Sequence, residues 1–163
     1  MDSSAPTKPD YLTRMEAAYG APSEAGFGSA VFHEVLKGTD DLSQAAKVKY
    51  RTFVGQLWDR FGEEAWMGPW KQVYVRDPAA GPDIASELRG IVDGDARLSV
   101  PMVLENIEGA DGARAALSAA FDDAEVSALR VFNLGDGEAM SGLLVAGRRG
   151  ASGETTFLVF LMD

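Results

Sequence analysis

The C-terminal third of the chain decides the fold, because it holds three extended runs separated by short glycine-rich links. The runs are SALRVFNL (127–134), AMSGLLVAG (139–147) and ETTFLVFLM (154–162). Links of this length form hairpin turns and are too short to cross over between parallel strands. The sequence therefore predicts a three-stranded antiparallel meander.

The distribution of apolar residues places these runs inside a covered sheet. The run 139–147 has hardly a polar atom on either face, as a central strand would. The run 154–162 is apolar on both faces, with Phe157, Val159 and Leu161 on one side and Leu158, Phe160 and Met162 on the other. We therefore expect helices to cover both faces, or a partner to cover one of them.

Two further strands are predicted before the meander. Residues 71–76 combine β-branched and aromatic side chains between turn-forming residues. Residues 99–107 are the second candidate. Pro101 cannot donate a hydrogen bond to a neighbouring strand. This strand is therefore expected either to lie at a sheet edge or to have Pro101 at its start.

Helices are predicted mainly in the first 62 residues. The clearest is 41–61, where apolar residues recur at steps of three and four. Shorter helices are predicted from Asp10 to Gly20 and from Ser29 to Gly38, each with a capping residue and a glycine stop. Two more are predicted to begin at Asp83 and Asp111.

These elements predict an α+β fold, in which a helical N-terminal portion is followed by a four- to five-stranded, mainly antiparallel sheet. Residues 1–9 are expected to form a disordered tail, since they are rich in proline and small polar residues. Residues 10–163 are expected to form one domain, with helices in 10–62 and the sheet-forming part in 70–163. A length of 163 residues suits one hydrophobic core.

The chain is acidic, with 15 Lys and Arg against 25 Asp and Glu and a net charge of −10. Most of this excess lies in residues 63–163. A surface of this sign repels phosphate backbones and anionic lipids, so neither nucleic acid nor membrane is an expected partner. The chain has no cysteine, which excludes disulfides and thiolate metal sites and fits a cytoplasmic location.

Sequence motifs for catalysis are few. The segment Gly135–Gly142 lacks the spacing of a dinucleotide-binding loop and is interpreted as a hairpin turn. Ser141 does not lie in a nucleophile elbow. His33 is the only imidazole and is interpreted as a histidine at the boundary of a helix. We therefore expect no catalytic residue, no metal site and no cofactor.

Three charged clusters are candidate ligand sites. Asp93-Gly-Asp95 and the acidic segment 122–125 lack the spacing of a calcium loop and are interpreted as solvated carboxylates at helix ends. Arg148 and Arg149 are interpreted as a solvated pair at a hairpin tip, with a contact to a small anion as the alternative.

Two tryptophans around a Gly-Pro break are the most unusual feature of the sequence. Trp66 and Trp70 are followed on the next strand by Tyr74 and Arg76. One interpretation is a hydrophobic plug that closes the sheet against the long helix. The other is an aromatic rim of a ligand or partner site, in which Arg76 orients an anion.

The leading functional hypothesis is a non-catalytic binding protein that recognises a basic protein partner through an acidic surface. The alternative is a small-molecule-binding protein or enzyme with a pocket between sheet and helices, lined by Trp66, Trp70, Tyr74 and Arg76. A third possibility is a homodimer formed along a sheet face.

Overall fold

A computed structural model describes most of the chain. The described residues are 9–20, 28–37, 41–55, 71–77, 79, 81–105, 109–134, 141–150 and 152–162. They form five helices: α1 (Asp10–Tyr19), α2 (Leu42–Val54), α3 (Ile84–Arg89), α4 (Gly94–Leu104) and α5 (Ala110–Phe121). They form five strands: β1 (Gly28–Val35), β2 (Lys71–Val75), β3 (Val126–Leu134), β4 (Ser141–Arg149) and β5 (Glu154–Met162).

The strands form one antiparallel sheet in the order β1-β5-β4-β3-β2. The meander predicted from the last three runs is confirmed, and β4 is the central strand, as its apolar composition predicts. At the turn between β4 and β5, Gly153 has a φ of 77°, a conformation that glycine adopts without strain. The predicted turn at 135–138 lies outside the described residues.

Helices cover both faces of this sheet. One face carries α1, α3, α4 and α5, and its core includes Leu158 and Phe160. The other face carries α2, and its core includes Phe157, Val159 and Leu161. The two alternating apolar sets of β5 therefore enter two separate cores, which confirms the prediction that both faces are covered by helices.

Helix α2 forms where the sequence predicts its clearest helix. Asp41 caps its N-terminus by accepting hydrogen bonds from the backbone N–H groups of Ser43 and Gln44. Its apolar side buries Tyr50 and Phe53 completely. The predicted extension to residue 61 continues past the described range 41–55.

The helix predicted from Ser29 to Gly38 is wrong, because residues 28–35 form strand β1. The spacing of Val31, Phe32 and Val35 fits one side of a helix, but pairing with β5 places consecutive residues on opposite faces. Val31 enters the core under α1, whereas Phe32 enters the core under α2. Burial against both helical layers therefore outweighs the local helical pattern.

The strand predicted at 99–107 is also wrong, because residues 94–104 form helix α4. Asp93 caps this helix by accepting from the N–H groups of Asp95 and Ala96. Pro101 lies inside the helix, where it cannot donate to the carbonyl of Arg97. Val100, Val103 and Leu104 are buried in the core shared with the other helices of this layer.

None of the described helices has the length and apolarity to cross a membrane.

Candidate functional site

Of the four residues predicted to line a site, Tyr74 and Arg76 are described, whereas Trp66 and Trp70 lie outside the described residues. Tyr74 lies on β2, and Arg76 follows the strand, with its backbone N–H bonded to the carbonyl of Leu129. Both side chains point into the layer of α3 and α5 and contact the same carboxylate, that of Glu87.

All three guanidinium nitrogens of Arg76 donate hydrogen bonds within the protein. Its Nε and Nη2 donate to the two carboxylate oxygens of Glu87 at 2.8 and 2.6 Å. Its Nη1 donates to the carbonyl of Phe121 at 2.7 Å, and Nη2 also lies 3.3 Å from Asp122. The side chain is only 6% exposed. This arrangement joins β2, α3 and the end of α5.

Glu87 is the centre of this network. The Tyr74 hydroxyl donates to it at 2.6 Å, and the backbone N–H of Asp83 donates at 3.2 Å. Burial raises the pKa of Glu87, but the hydrogen bonds from Arg76 and Tyr74 outweigh it, so the pKa lies below its usual value. Burial and the contact with Glu87 raise the pKa of Tyr74 to about 12. At neutral pH the network therefore holds an ionised carboxylate and a neutral phenol.

The solvated pair predicted at the β4–β5 hairpin is wrong for Arg149, which is 7% exposed. Its guanidinium lies 4.1 Å above the ring of Tyr11 and pairs with Asp123 at 3.2 Å and Glu125 at 3.4 Å. Arg148 instead points to the face of α2. Consecutive strand residues point to opposite faces, so only one of two adjacent arginines can enter this layer.

In the two acidic clusters, Asp95, Asp123 and Glu125 are exposed, as the sequence predicts, whereas Asp93 and Asp122 are half-buried and have specific partners. Asp93 caps α4 and also forms an ion pair with Lys71. Asp122 accepts a hydrogen bond from the backbone N–H of Ile84 at 2.8 Å, as well as from Arg76. In the described part of the chain, no three His, Cys, Asp or Glu side chains are placed to hold a metal ion.

A second polar cluster surrounds His33 and was missed by sequence reasoning. His33 lies on strand β1, not in a helix, and its Nε2 is 3.3 Å from the Tyr11 hydroxyl and 3.4 Å from Glu154. The Tyr11 hydroxyl donates to the same Glu154 carboxylate at 3.1 Å. The residues come from α1, β1 and β5, so only the pairing of the first and last strands brings them together.

The same helical layer has open grooves, and the following two lie away from Tyr74 and Arg76. One, of about 550 Å³, separates α1 from α5 and is lined by Arg14 and by small residues such as Ala17, Gly112 and Ala116. The other, of about 180 Å³, lies between α3 and α4. The pocket predicted from the sequence thus remains a prediction.

No family model, curated protein or solved structure matches this chain.

Proposed function

We propose that this chain is a non-catalytic binding protein that recognises a basic protein partner through its acidic surface. The observation that carries the proposal is the unequal charge of the two sides of the sheet. We call the side formed by α1, α3, α4, α5 and their connecting residues the helical face, and the opposite side the α2 face.

Exposed carboxylates outnumber exposed cations on the helical face. The exposed carboxylates of α1 and of the described residues in 77–125 are Asp10, Asp77, Asp83, Asp95, Glu105, Asp111, Asp123 and Glu125. The exposed cations of the same elements are Arg14, Arg89 and Arg97. Such an excess attracts a basic surface and accelerates association with it.

The α2 face has the opposite balance when partly buried groups are counted together with exposed ones. Counted in that way, α1 and the described residues in 77–125 hold 12 carboxylates against 4 cations. The described cations of the α2 face, on α2 and the strands, are Lys47, Lys49, Arg51, Arg130 and Arg148, and its described carboxylates are Glu34 and Asp41. The balance of charge on the two faces supports the helical face as the contact surface for a cationic partner.

The hydrogen bonds of Arg76 within the protein favour this proposal over the small-molecule alternative. Each of its three guanidinium nitrogens already donates to Glu87 or to Phe121. An anionic ligand would have to displace these bonds to be oriented by Arg76, and a charge-assisted hydrogen bond inside a protein is costly to lose. The cytoplasmic location that we propose with this function rests on the cysteine-free sequence.

Two charge reversals test the proposal with equal changes in net charge. Glu105→Lys acts on the helical face, where Glu105 lies 3.5 Å from Arg89. Glu34→Lys is its control on the α2 face, where Glu34 pairs with Lys49 at 2.8 Å. Both glutamates are exposed, so neither variant is expected to affect folding strongly.

The readout is the fluorescence anisotropy of a labelled oligolysine peptide at about 20 and 150 mM salt. We expect Glu105→Lys to weaken binding several-fold more than Glu34→Lys, and the affinity of the wild type to fall with salt. Equal loss in the two variants would mean that only the net charge matters, and a specific acidic contact surface would then be rejected.

A further inference from the structure

The N-terminal turn of α1 is fastened to the sheet by a hydroxyl, an imidazole and a carboxylate. Tyr11 lies in this turn, and its hydroxyl oxygen is 3.3 Å from His33 Nε2 on β1. The same hydroxyl donates to Glu154 at the start of β5. His33 and Glu154 are themselves 3.4 Å apart, so the three groups form a closed triangle.

Arg149, on β4, is the fourth residue of this cluster. Its guanidinium lies 4.1 Å above the Tyr11 ring, in the range of a cation–π contact. It also approaches the carbonyl of Ala120 at the end of α5. The ring of Tyr11 therefore contacts Arg149, whose charge is permanent, while the Tyr11 hydroxyl contacts His33, which can gain a proton.

The charges that face His33 act in opposite directions. Burial is the largest influence and lowers the pKa of the imidazole; Glu154 raises it, Arg149 lowers it, and Glu16 on α1 raises it. The net result is a pKa below the ordinary value of histidine. Hence the closed cluster accommodates a neutral imidazole better than a protonated one.

We propose that Tyr11, His33 and Glu154 form a proton-sensitive latch, in which protonation of His33 releases the first turn of α1 from the sheet. The neutral imidazole lets the Tyr11 hydroxyl bridge to Glu154. A protonated imidazole is a second cation beside Arg149 in a partly buried cluster, and it competes with Tyr11 for the Glu154 carboxylate. When the contact between Tyr11 and Glu154 opens, water can hydrate the protonated imidazole.

The far end of α1 has a different attachment, so the release is local. The Tyr19 hydroxyl donates to the carbonyl of Val103 at 3.0 Å, and the carbonyl of Gly20 accepts from the N–H of Val31. Met15 between the two ends is fully buried. None of these contacts involves a group that titrates near neutral pH, so we expect them to persist.

Few other groups change charge in the pH range that matters. His33 is the only histidine and the chain has no cysteine. The described carboxylates with resolved pKa shifts, Glu87, Asp93 and Asp123, are all shifted downward. If the wild-type protein changes between about pH 7 and pH 5.5 and a variant that lacks His33 does not, the change is therefore assigned to the imidazole of His33.

The test is hydrogen exchange of backbone amides at about pH 7 and pH 5.5, corrected for the intrinsic pH dependence of exchange. In the wild type, we expect the amides of Leu12 and Thr13, which donate to the carbonyl of Pro9, to lose protection several-fold at the lower pH, while α2 is unchanged. In His33→Gln, which stays neutral, we expect no such difference. In Tyr11→Phe, which keeps the ring over Arg149, we expect weaker protection at both pH values.

Equal pH responses in the wild type and His33→Gln would overturn the latch, and so would a wild-type α1 that does not respond. Should His33→Gln fail to fold, an NMR titration of the wild-type protein decides the question. The amide shifts of the first turn of α1 must then follow the same midpoint as the single imidazole; different midpoints would reject the proposal. The oligolysine experiment tests a different property, so the two proposals fail independently.

Discussion

Arg76 and Arg149 donate hydrogen bonds to neighbouring carbonyls at the C-terminus of α5. Arg76 Nη1 reaches the carbonyl of Phe121 at 2.7 Å, and Arg149 Nη2 reaches that of Ala120 at 3.4 Å. The last carbonyls of a helix have no partner within it and carry partial negative charge, so cations are favourable there. Two arginines from opposite sides of β3 thus fasten one helix end to the sheet.

Loss of the Arg76 side chain should destabilise the protein strongly. Arg76→Met keeps most of the volume but leaves Glu87, with a side chain 10% exposed, without its charged partner. We expect a loss of about 3 kcal/mol in the free energy of unfolding, as for other broken buried ion pairs, measured by urea denaturation. Arg97→Met is the matched control, because Arg97 is exposed. A similar loss in both variants would contradict a special role for Arg76.

Acid should weaken the same network. The pKa of Glu87 is lowered in the folded protein, so its contribution to stability is complete above its unfolded pKa, near 4.3, and declines as the pH falls through the folded value. We expect the urea midpoint to fall between about pH 5 and pH 3. In Glu87→Gln, which cannot ionise, part of this decline should be missing; an undiminished slope would assign acid sensitivity to other carboxylates.

Removal of the Ser99 hydroxyl should be tolerated or beneficial. Ser99 is 2% exposed on α4, and its Oγ has no hydrogen-bond partner among the described residues. Ser99→Ala removes an unpaired buried polar atom, so we expect no loss and a gain of up to about 1 kcal/mol. Ser118→Ala is the comparison, because its hydroxyl donates to Asp122 at 2.9 Å. Thermal unfolding of both variants measures the difference, and a clear loss in Ser99→Ala would reveal a partner for this hydroxyl.

Two glycine substitutions should act in opposite directions. Gly112 lies in α5, and a methyl group there meets no atom within 4 Å apart from the adjacent backbone of its own helix, so Gly112→Ala should stabilise the helix by about 0.5–1 kcal/mol. At Gly142 on β4, the methyl group would overlap the backbone oxygen of Phe160. Gly142→Ala should therefore destabilise the sheet, measurably as a lower denaturation midpoint. A stabilising Gly142→Ala would show that β4 and β5 can separate at low cost.

The meander and α2 could be predicted because their signals are local. Short links force neighbouring strands to pair, and Asp41 caps a helix whose apolar residues recur at regular spacing. Strand β1 could not be predicted, because its partner is β5, far away in sequence. Helix α4 is predicted as a strand because Val100, Val103 and the residues around them suit either element, and the cap at Asp93 is the local signal that indicates a helix.

The polar clusters were harder to predict than the fold. Arg76 was singled out from the sequence, but its contact with Glu87 depends on how α3 packs against β2. The contact between Tyr11, His33 and Glu154 requires the first and last strands to pair. Single side chains in a sequence carry no signal for such contacts, since the residues involved have no fixed spacing.

The sheet order also has a consequence for how the protein forms. Each β1 residue pairs with a residue of β5, as in the pair Val31 and Leu158, so β1 has no partner in the described sheet until β5 has been synthesised. The meander needs only short loop closures, whereas the β1–β5 pairing closes a very long one. We therefore expect β3 and β4 to nucleate folding and β1 to dock last, which leaves the region near His33 the final part of the sheet to assemble.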